Sequence, residues 1–252
     1  MNADSRATVL PRTTLMEVCT GTVRPLASTD IRSAIDKAPR RGPVRLGPTG
    51  FEGDEQGEKE IHGGPDKAAL HYAAHHYAEW ARELPAIAGR CVPGGFGENL
   101  VSAGVDETSV CIGDRIRIGG ALVEVAQPRQ PCFKLNHRFQ ESTMSRRAQN
   151  SGRTGWYYRV IEPGAVQSGD PIEVIERPHP DWTVRRVQQF LYGRPLDADA
   201  LIELSRLAAL SEALRGLFTR RLRSMRVENW EERLVDHNPV GGEGDGGSRA
   251  AS

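Results

Sequence analysis

The spacing of apolar and polar positions changes period several times along this chain. Leu15-Met16-Glu17-Val18-Cys19-Thr20 is rich in β-formers and carries no helical stripe, which predicts a first strand. Residues 47–67 read as a loop, with Gly47, Gly50, Gly53, Gly57, Gly63 and Gly64 set among Asp and Glu. Leu70, Tyr77, Trp80 and Ala81 then recur near helical spacing and Pro85 follows, so the pattern predicts one helix from Lys67 to Glu83. Arg115-Ile116-Arg117-Ile118 alternates strictly, Gly119-Gly120 offers a two-residue turn, and Val123 and Val125 resume the alternation as a hairpin. The returning strand runs into Gln127-Pro128-Arg129-Gln130-Pro131-Cys132, where two prolines end its ladder. A short helix around Phe139–Asn150 and strands near Trp156–Ile161 and Pro171–Ile175 follow.

Past Arg177 the period becomes helical. Thr183, Asp197 or Asp199, and Ser211 each stand where an N-cap belongs, ahead of three short amphipathic segments. The expected organisation is a flexible stretch over residues 1–13 and a β-rich α+β barrel domain over 14–177. A small separate three-helix module over 178–235 and a disordered Gly-rich tail over 236–252 complete it.

Composition narrows the function classes. The 252 residues hold 33 Lys plus Arg and 33 Asp plus Glu, so no global field recruits nucleic acid or an anionic membrane. No apolar run approaches the roughly 20 residues of a membrane span, and Met1–Arg12 lacks a signal-peptide core. Cys19, Cys91, Cys111 and Cys132 form no Cys-x-x-Cys pair, and the expectation is a cytoplasmic protein with reduced thiols.

Cys132 carries the sharpest chemical signal. Arg129 and Lys134 flank it, His137 follows, and cationic neighbours favour a thiolate, which is the nucleophile and the soft-metal ligand. The competing reading has Cys132 filling an apolar gap beneath a loop. In Ile61-His62-Gly63-Gly64-Pro65-Asp66-Lys67-Ala68, two glycines permit close backbone approach and a helix start offers N–H groups to an anion; a plain turn capped by Asp66 fits equally well. His71 and His75 stand four apart on the expected helix, but two imidazoles fill only half a zinc shell and no Glu companion lies between them. Glu98 and Asn99 are the polar groups of the glycine-flanked Gly95–Leu100.

Four segments, Phe51-Glu52-Gly53-Asp54-Glu55-Gln56, His62–Lys67, Phe96-Gly97-Glu98-Asn99-Leu100 and Gln127–Leu135, occur in the order found in MOSC-domain proteins (the molybdenum cofactor sulfurase C-terminal domain). The chain resembles the YiiM-type branch of that family from about Leu15 to about Arg233, trailing helices included. The resemblance implies a barrel-like core and a molybdopterin-type molybdenum cofactor whose metal is bound by Cys132. It also implies reduction of N-hydroxylated compounds such as hydroxylamino nucleobases. On that footing Arg129, Lys134, Lys67, Gly63, Gly64 and Asn99 become the cofactor-binding candidates, and His62, Asp66 and Glu98 the proton relays beside Cys132. With no Gly-x-Gly-x-x-Gly fingerprint and no iron–sulfur cysteine cluster, electrons are expected from a separate reductase. The rival reading is a non-catalytic carrier of the cofactor, or of persulfide sulfur on Cys132. A basic last helix with Arg215, Arg220, Arg221, Arg223 and Arg226 raises DNA contact, against which the zero net charge argues.

Overall fold

The structure, a computed structural model, describes residues 13–26, 29–57 and 63–236. The flexible stretch expected over residues 1–13 falls outside it except for Thr13, which is already strand, and His62 falls outside it entirely.

In chain order, β1 (Thr13–Thr20) precedes three two-residue strands, β2 (Arg24–Pro25), β3 (Arg32–Ser33) and β4 (Ala38–Pro39). Then come β5 (Val44–Gly47), β6 (Gly50–Phe51), β7 (Ala69–Ala73), β8 (Leu100–Ser102), β9 (Arg115–Ile118) and β10 (Ala121–Pro128). β11 (Trp156–Glu162), β12 (Gly164–Val166) and β13 (Pro171–Glu176) complete the set. Pairing runs β13-β9-β10-β11-β7-β8-β1, and β1 pairs again with β13, so seven strands close into a barrel with β4 appended to β1. Closure leaves these strands with few unpaired edges. All contacts in the ring are antiparallel except β7 with β8.

The hairpin forms as its alternation dictates. Ile116 and Ile118 point inward from β9 while Arg115 faces solvent, and Ala121 pairs with Ile118 across a turn in which Gly119 adopts φ 54°. Leu15, Leu100, Val123, Trp156 and Ile172 fill the barrel with them.

Three expectations are corrected. The helix predicted from Lys67 to Glu83 is a single 3₁₀ turn (Pro65–Lys67), then β7, then α1 (His75–Glu83). All five residues of β7 are buried, because β8 and β11 flank it and side chains pack on both of its faces. Such a strand shows no alternation, and Ala-Leu-His-Tyr-Ala passes for helix by composition alone. Second, the helix expected at Phe139–Asn150 is two, α2 (Lys134–Phe139) and α3 (Met144–Ser151), separated where Gln140 turns left-handed at φ 54°.

Third, the C-terminal helices form the expected module, but it is not separate: its apolar core is continuous with that of the barrel. Thr183, Asp197 and Ser211 do cap α4 (Val184–Gln188), α5 (Ala198–Arg206) and α6 (Glu212–Ser224), each accepting from the backbone N–H three residues on. Yet Val187, Leu191, Leu204 and Phe218 belong to the same apolar core as Val123 and Ile112 of the barrel. Short helices bury too little surface alone. The backbone ties them down as well: Ser211 N donates to Ala126 O at 2.9 Å and Ile112 N to Trp182 O at 2.9 Å. Arg221, from the basic helix, is fully buried and bonded to Glu228 and to the Phe190 carbonyl. A short α7 (Glu231–Leu234) then returns to the barrel, and Asp236, assigned to the tail by composition, accepts from His137 at 2.9 Å. The rest of the expected tail lies outside the described residues.

Candidate active site

β10 carries the cysteine loop into place. Its last ladder pair is Pro128 with Trp156, Arg129 N still donates to Gly155 O at 3.0 Å, and α2 starts at Lys134. Prolines at 128 and 131 remove two backbone donors, so Cys132 sits on a tight bend between strand and helix.

That bend forms one wall of an open cleft. Its floor is the outer barrel face, where cross-strand partners Leu70 and Tyr157 lie side by side. The other walls come from Ser33, Ala34, Ile35 and Lys37, from Asp54–Gly57, from Phe96, Gly97 and Asn99, and from the Lys67 turn. Gly155, with φ 76°, permits the close approach of strands beneath: a Cβ there would meet the His71 carbonyl oxygen at 2.2 Å.

Of the residues singled out from sequence, Cys132, Arg129, Lys134, Lys67 and Asn99 line the cleft together. Arg129, Lys134 and Cys132 are each under 9% exposed. Gly63 and Gly64 lead into the 3₁₀ turn, and neither lines the cleft. A three-residue turn followed at once by β7 presents no extended helix start to an anion among the described residues.

Two carboxylates expected as proton relays also sit elsewhere. Asp66 receives Arg159 Nε at 2.8 Å and the Glu212 backbone N–H at 3.2 Å, which ties the turn to β11 and to the start of α6. Glu98 is fully buried and accepts from Tyr77 Oη, from Gly94 N at 2.6 Å and from Phe96 N at 2.8 Å. Burial pushes its carboxyl upward against the pull of these donors. Glu98 is the clasp of the 94–98 loop and does not face the cleft.

Asn99 lines the cleft but its amide is engaged within the protein. Nδ2 donates to Cys19 O at 3.1 Å and Asp54 Oδ2 at 2.9 Å, and Oδ1 accepts from Leu70 N at 3.1 Å. Asp54 in turn takes Lys37 Nζ and Gly21 N. This Asn99–Asp54–Lys37 network was not read from the sequence. Asp54 lay in a motif without an assigned role, and Lys37 lies in a polar stretch that carries no signal.

The cleft is cationic at its cysteine end. Lys37, Lys67, Arg129 and Lys134 line it against the carboxylates of Asp54 and Glu55, and Lys37 is spent on Asp54. Burial, followed by the charge of Arg233, lowers the Lys67 ammonium below the usual lysine range, against the raising effect of Asp66. Arg129 Nη1 is buried without a hydrogen-bond partner. A buried guanidinium N–H left unmatched is costly, and an anionic oxygen in the cleft would satisfy it. The donor set therefore fits an anionic ligand, and a thiol on the same bend fits a soft metal.

His71, expected to share a helix with His75, lies in β7. It bonds Ser102 Oγ at 2.7 Å and Tyr158 Oη at 3.0 Å, and burial lowers its pKa to about 3. Cys19, Cys91 and Cys111 are buried, and burial raises all three thiols, Cys111 to about 11.

Comparison with known proteins agrees with this architecture. Residues 58–173 match the MOSC domain and residues 182–224 the YiiM-like, 3-alpha helix domain. Protein YiiM of Escherichia coli (strain K12) is 42% identical over 202 residues, covering 80% of this chain and 90% of that protein. A protein named Reductase from Gibberella moniliformis is 38% identical over 196 residues, 77% of this chain but 35% of that longer protein. The crystal structure of YiiM from Escherichia coli superposes with a TM-score of 0.76 at 35% identity, covering 90% of this chain and 100% of that one. The chain belongs to the MOSC-domain family, in its YiiM-like branch with the three-helix extension.

Proposed function

We propose that this protein is a molybdenum-cofactor-dependent reductase of small N-hydroxylated compounds, with Cys132 as the metal ligand and a separate reductase as electron donor. MOSC domains are in general molybdenum-cofactor-binding domains, and one relative carries the name Reductase. The observation that carries the reading is the partnerless, buried Arg129 Nη1 in the cleft that Cys132 lines.

Arg129 and Lys134 would hold the anionic part of the cofactor, since a guanidinium and an ammonium from one bend meet phosphate oxygens with charge-assisted hydrogen bonds. Cys132 Sγ would hold the metal. Bound there, the cofactor supplies a centre that exchanges an electron pair. The overall reaction takes a hydroxylamine R–NH–OH, two electrons and two protons to R–NH₂ and water. Asp66 and Glu98 are tied up away from the cleft; among the described residues Lys67 Nζ would hold a proton there, and its lowered pKa makes release easier. Leu70 and Phe96 supply apolar wall that excludes water beside a small planar substrate.

Metal and pterin analysis of freshly purified protein, with turnover of a hydroxylamino nucleobase driven by an artificial electron donor, tests the reading. Wild type should hold molybdenum and reduce the substrate. Cys132→Ser should lose both while keeping its melting temperature. Full turnover in Cys132→Ser would remove the cysteine from the chemistry, and cofactor handed to an acceptor protein without turnover would establish the carrier.

A further inference from the structure

A second cluster of ligand-bearing side chains lies outside the cleft. His75, His76 and Glu79 project from the first turn of α1, and one ligand atom from each lies within 4.8 Å of the others. None of the three lines the cysteine cleft.

His76 carries the argument. Its side chain is 6% exposed, and its two ring nitrogens have opposite fates. Nε2 lies 2.8 Å from Glu107 Oε2, a carboxylate that is itself buried. Glu107 is fixed as an acceptor because its other oxygen takes Thr154 N at 2.9 Å and Gly155 N at 2.6 Å. Nε2 is thus the protonated nitrogen, and the lone pair of a neutral ring is left on Nδ1. Nδ1 is buried with no hydrogen-bond partner. It faces Glu79 Oε2 at 3.7 Å, too long for a hydrogen bond. Two ligands on one tetrahedral zinc, each at roughly 2.0–2.1 Å, stand about 3.3 Å apart, so a small closure fills the gap.

We propose that His75, His76 and Glu79 bind a borderline divalent cation of the zinc class, with Glu107 orienting His76 from behind. Two imidazoles and a carboxylate are a zinc donor set, and a carboxylate behind the ligating imidazole is how such sites fix the tautomer. Asp106 Oδ2, 3.6 Å from His75 Nε2, adds negative charge at the rim. Glu79 is also 3.1 Å from Arg153 Nη1, but that guanidinium has Glu83 at 2.6 Å and stacks 3.6 Å over the Trp80 ring, so it stays held when Glu79 turns to a metal. The site braces the cysteine loop at one remove, because Glu107 grips Gly155 N and the Gly155 carbonyl receives Arg129 N.

The test titrates chelator-treated full-length protein with Zn²⁺ and, separately, with Co²⁺. One Zn²⁺ per chain should bind and raise the melting temperature. The Co²⁺ spectrum should lack sulfur-to-metal charge transfer, and Cys132→Ser should bind as wild type does. His75→Ala and Glu79→Gln, both at partly exposed positions, should melt like metal-free wild type and bind at least tenfold more weakly. Absence of one saturable site, undiminished binding in both variants, or loss of binding in Cys132→Ser would each overturn the assignment.

Discussion

Arg233 Nε donates to the Pro131 carbonyl oxygen at 3.0 Å, across 102 positions of sequence. Its Nη2 takes the Gln130 carbonyl at 3.0 Å, and the Arg233 carbonyl receives Phe133 N at 2.8 Å. The residues on both sides of Cys132 are therefore held by one residue of the final short helix. Leu234 O accepts from Asn136 and Ser145 nearby, so the strap continues onto α2 and α3. The trailing segment thereby fixes the shape of the cysteine bend.

Arg233→Met keeps the stem and removes the fork, leaving two loop carbonyls without their donor. Stability should fall by about 1–3 kcal/mol, and molybdenum content should fall further than stability explains. Arg233→Lys should recover little of either, since an ammonium does not span two carbonyls with fixed geometry. Melting curves paired with metal analysis check this; full metal content in Arg233→Met would show that the bend holds its own shape.

Arg129 gives the complementary case. Its side chain lines the cleft, and truncation breaks no hydrogen bond at Nη1, which has no partner. Arg129→Met should fold with an unchanged or slightly higher melting temperature, because an unmatched buried donor disappears. Pterin content should drop at least tenfold. Retained pterin would take Arg129 out of the anion site.

What could be read in advance followed from local physics. The cysteine bend was legible because two prolines end a strand wherever they stand, and the three C-terminal caps were legible because each acts within three residues of itself. β7 was not, since only its neighbours from positions 100–102 and 156–158 make a fully buried strand of Ala69–Ala73. The same error hid the second cluster: with a helix drawn from Lys67, His71 and His75 looked like a pair, whereas the helix begins at His75 and joins His75, His76 and Glu79. Asp66 and Glu98 looked catalytic because the partners that occupy them, Arg159 on a distant strand and the donors gathered by a loop closure, are set by the fold. The motifs bring Cys132, Arg129, Lys134, Lys67 and Asn99 to one cleft, but they do not say which of their other side chains face it.

The buried His71 makes stability depend on acid. Its folded pKa of about 3 lies below the ordinary value of 6.5, so between those limits the unfolded chain binds a proton that the native state does not. Stability contributed by the neutral ring is complete above pH 6.5 and declines by up to about 1.4 kcal/mol per pH unit as pH falls toward 3. His71→Gln should melt lower at pH 7, where it fits the Ser102 and Tyr158 hydroxyls less well, and its melting temperature should fall less steeply on acidification. Parallel pH profiles for the two proteins would assign the acid sensitivity to other groups.

Glu98→Gln separates a clasp from a proton relay. In the native loop both carboxylate oxygens accept, from Gly94 N and Tyr77 Oη on one side and from Phe96 N on the other. Glutamine supplies one accepting oxygen and an NH₂ that donates, so at least one backbone N–H meets another donor in a fully buried site. The expected loss is about 1–3 kcal/mol of stability. Because Phe96 and Gly97 of this loop wall the cleft, substrate KM should rise modestly as the wall loosens. A clasp leaves the proton inventory of the reaction untouched, so the pH profile of kcat should keep its wild-type shape and kcat should stay within about threefold at a temperature where the variant is folded. A kcat reduced by the 10²–10⁴-fold typical of a lost general acid, with one limb of the profile gone, would return Glu98 to the chemistry.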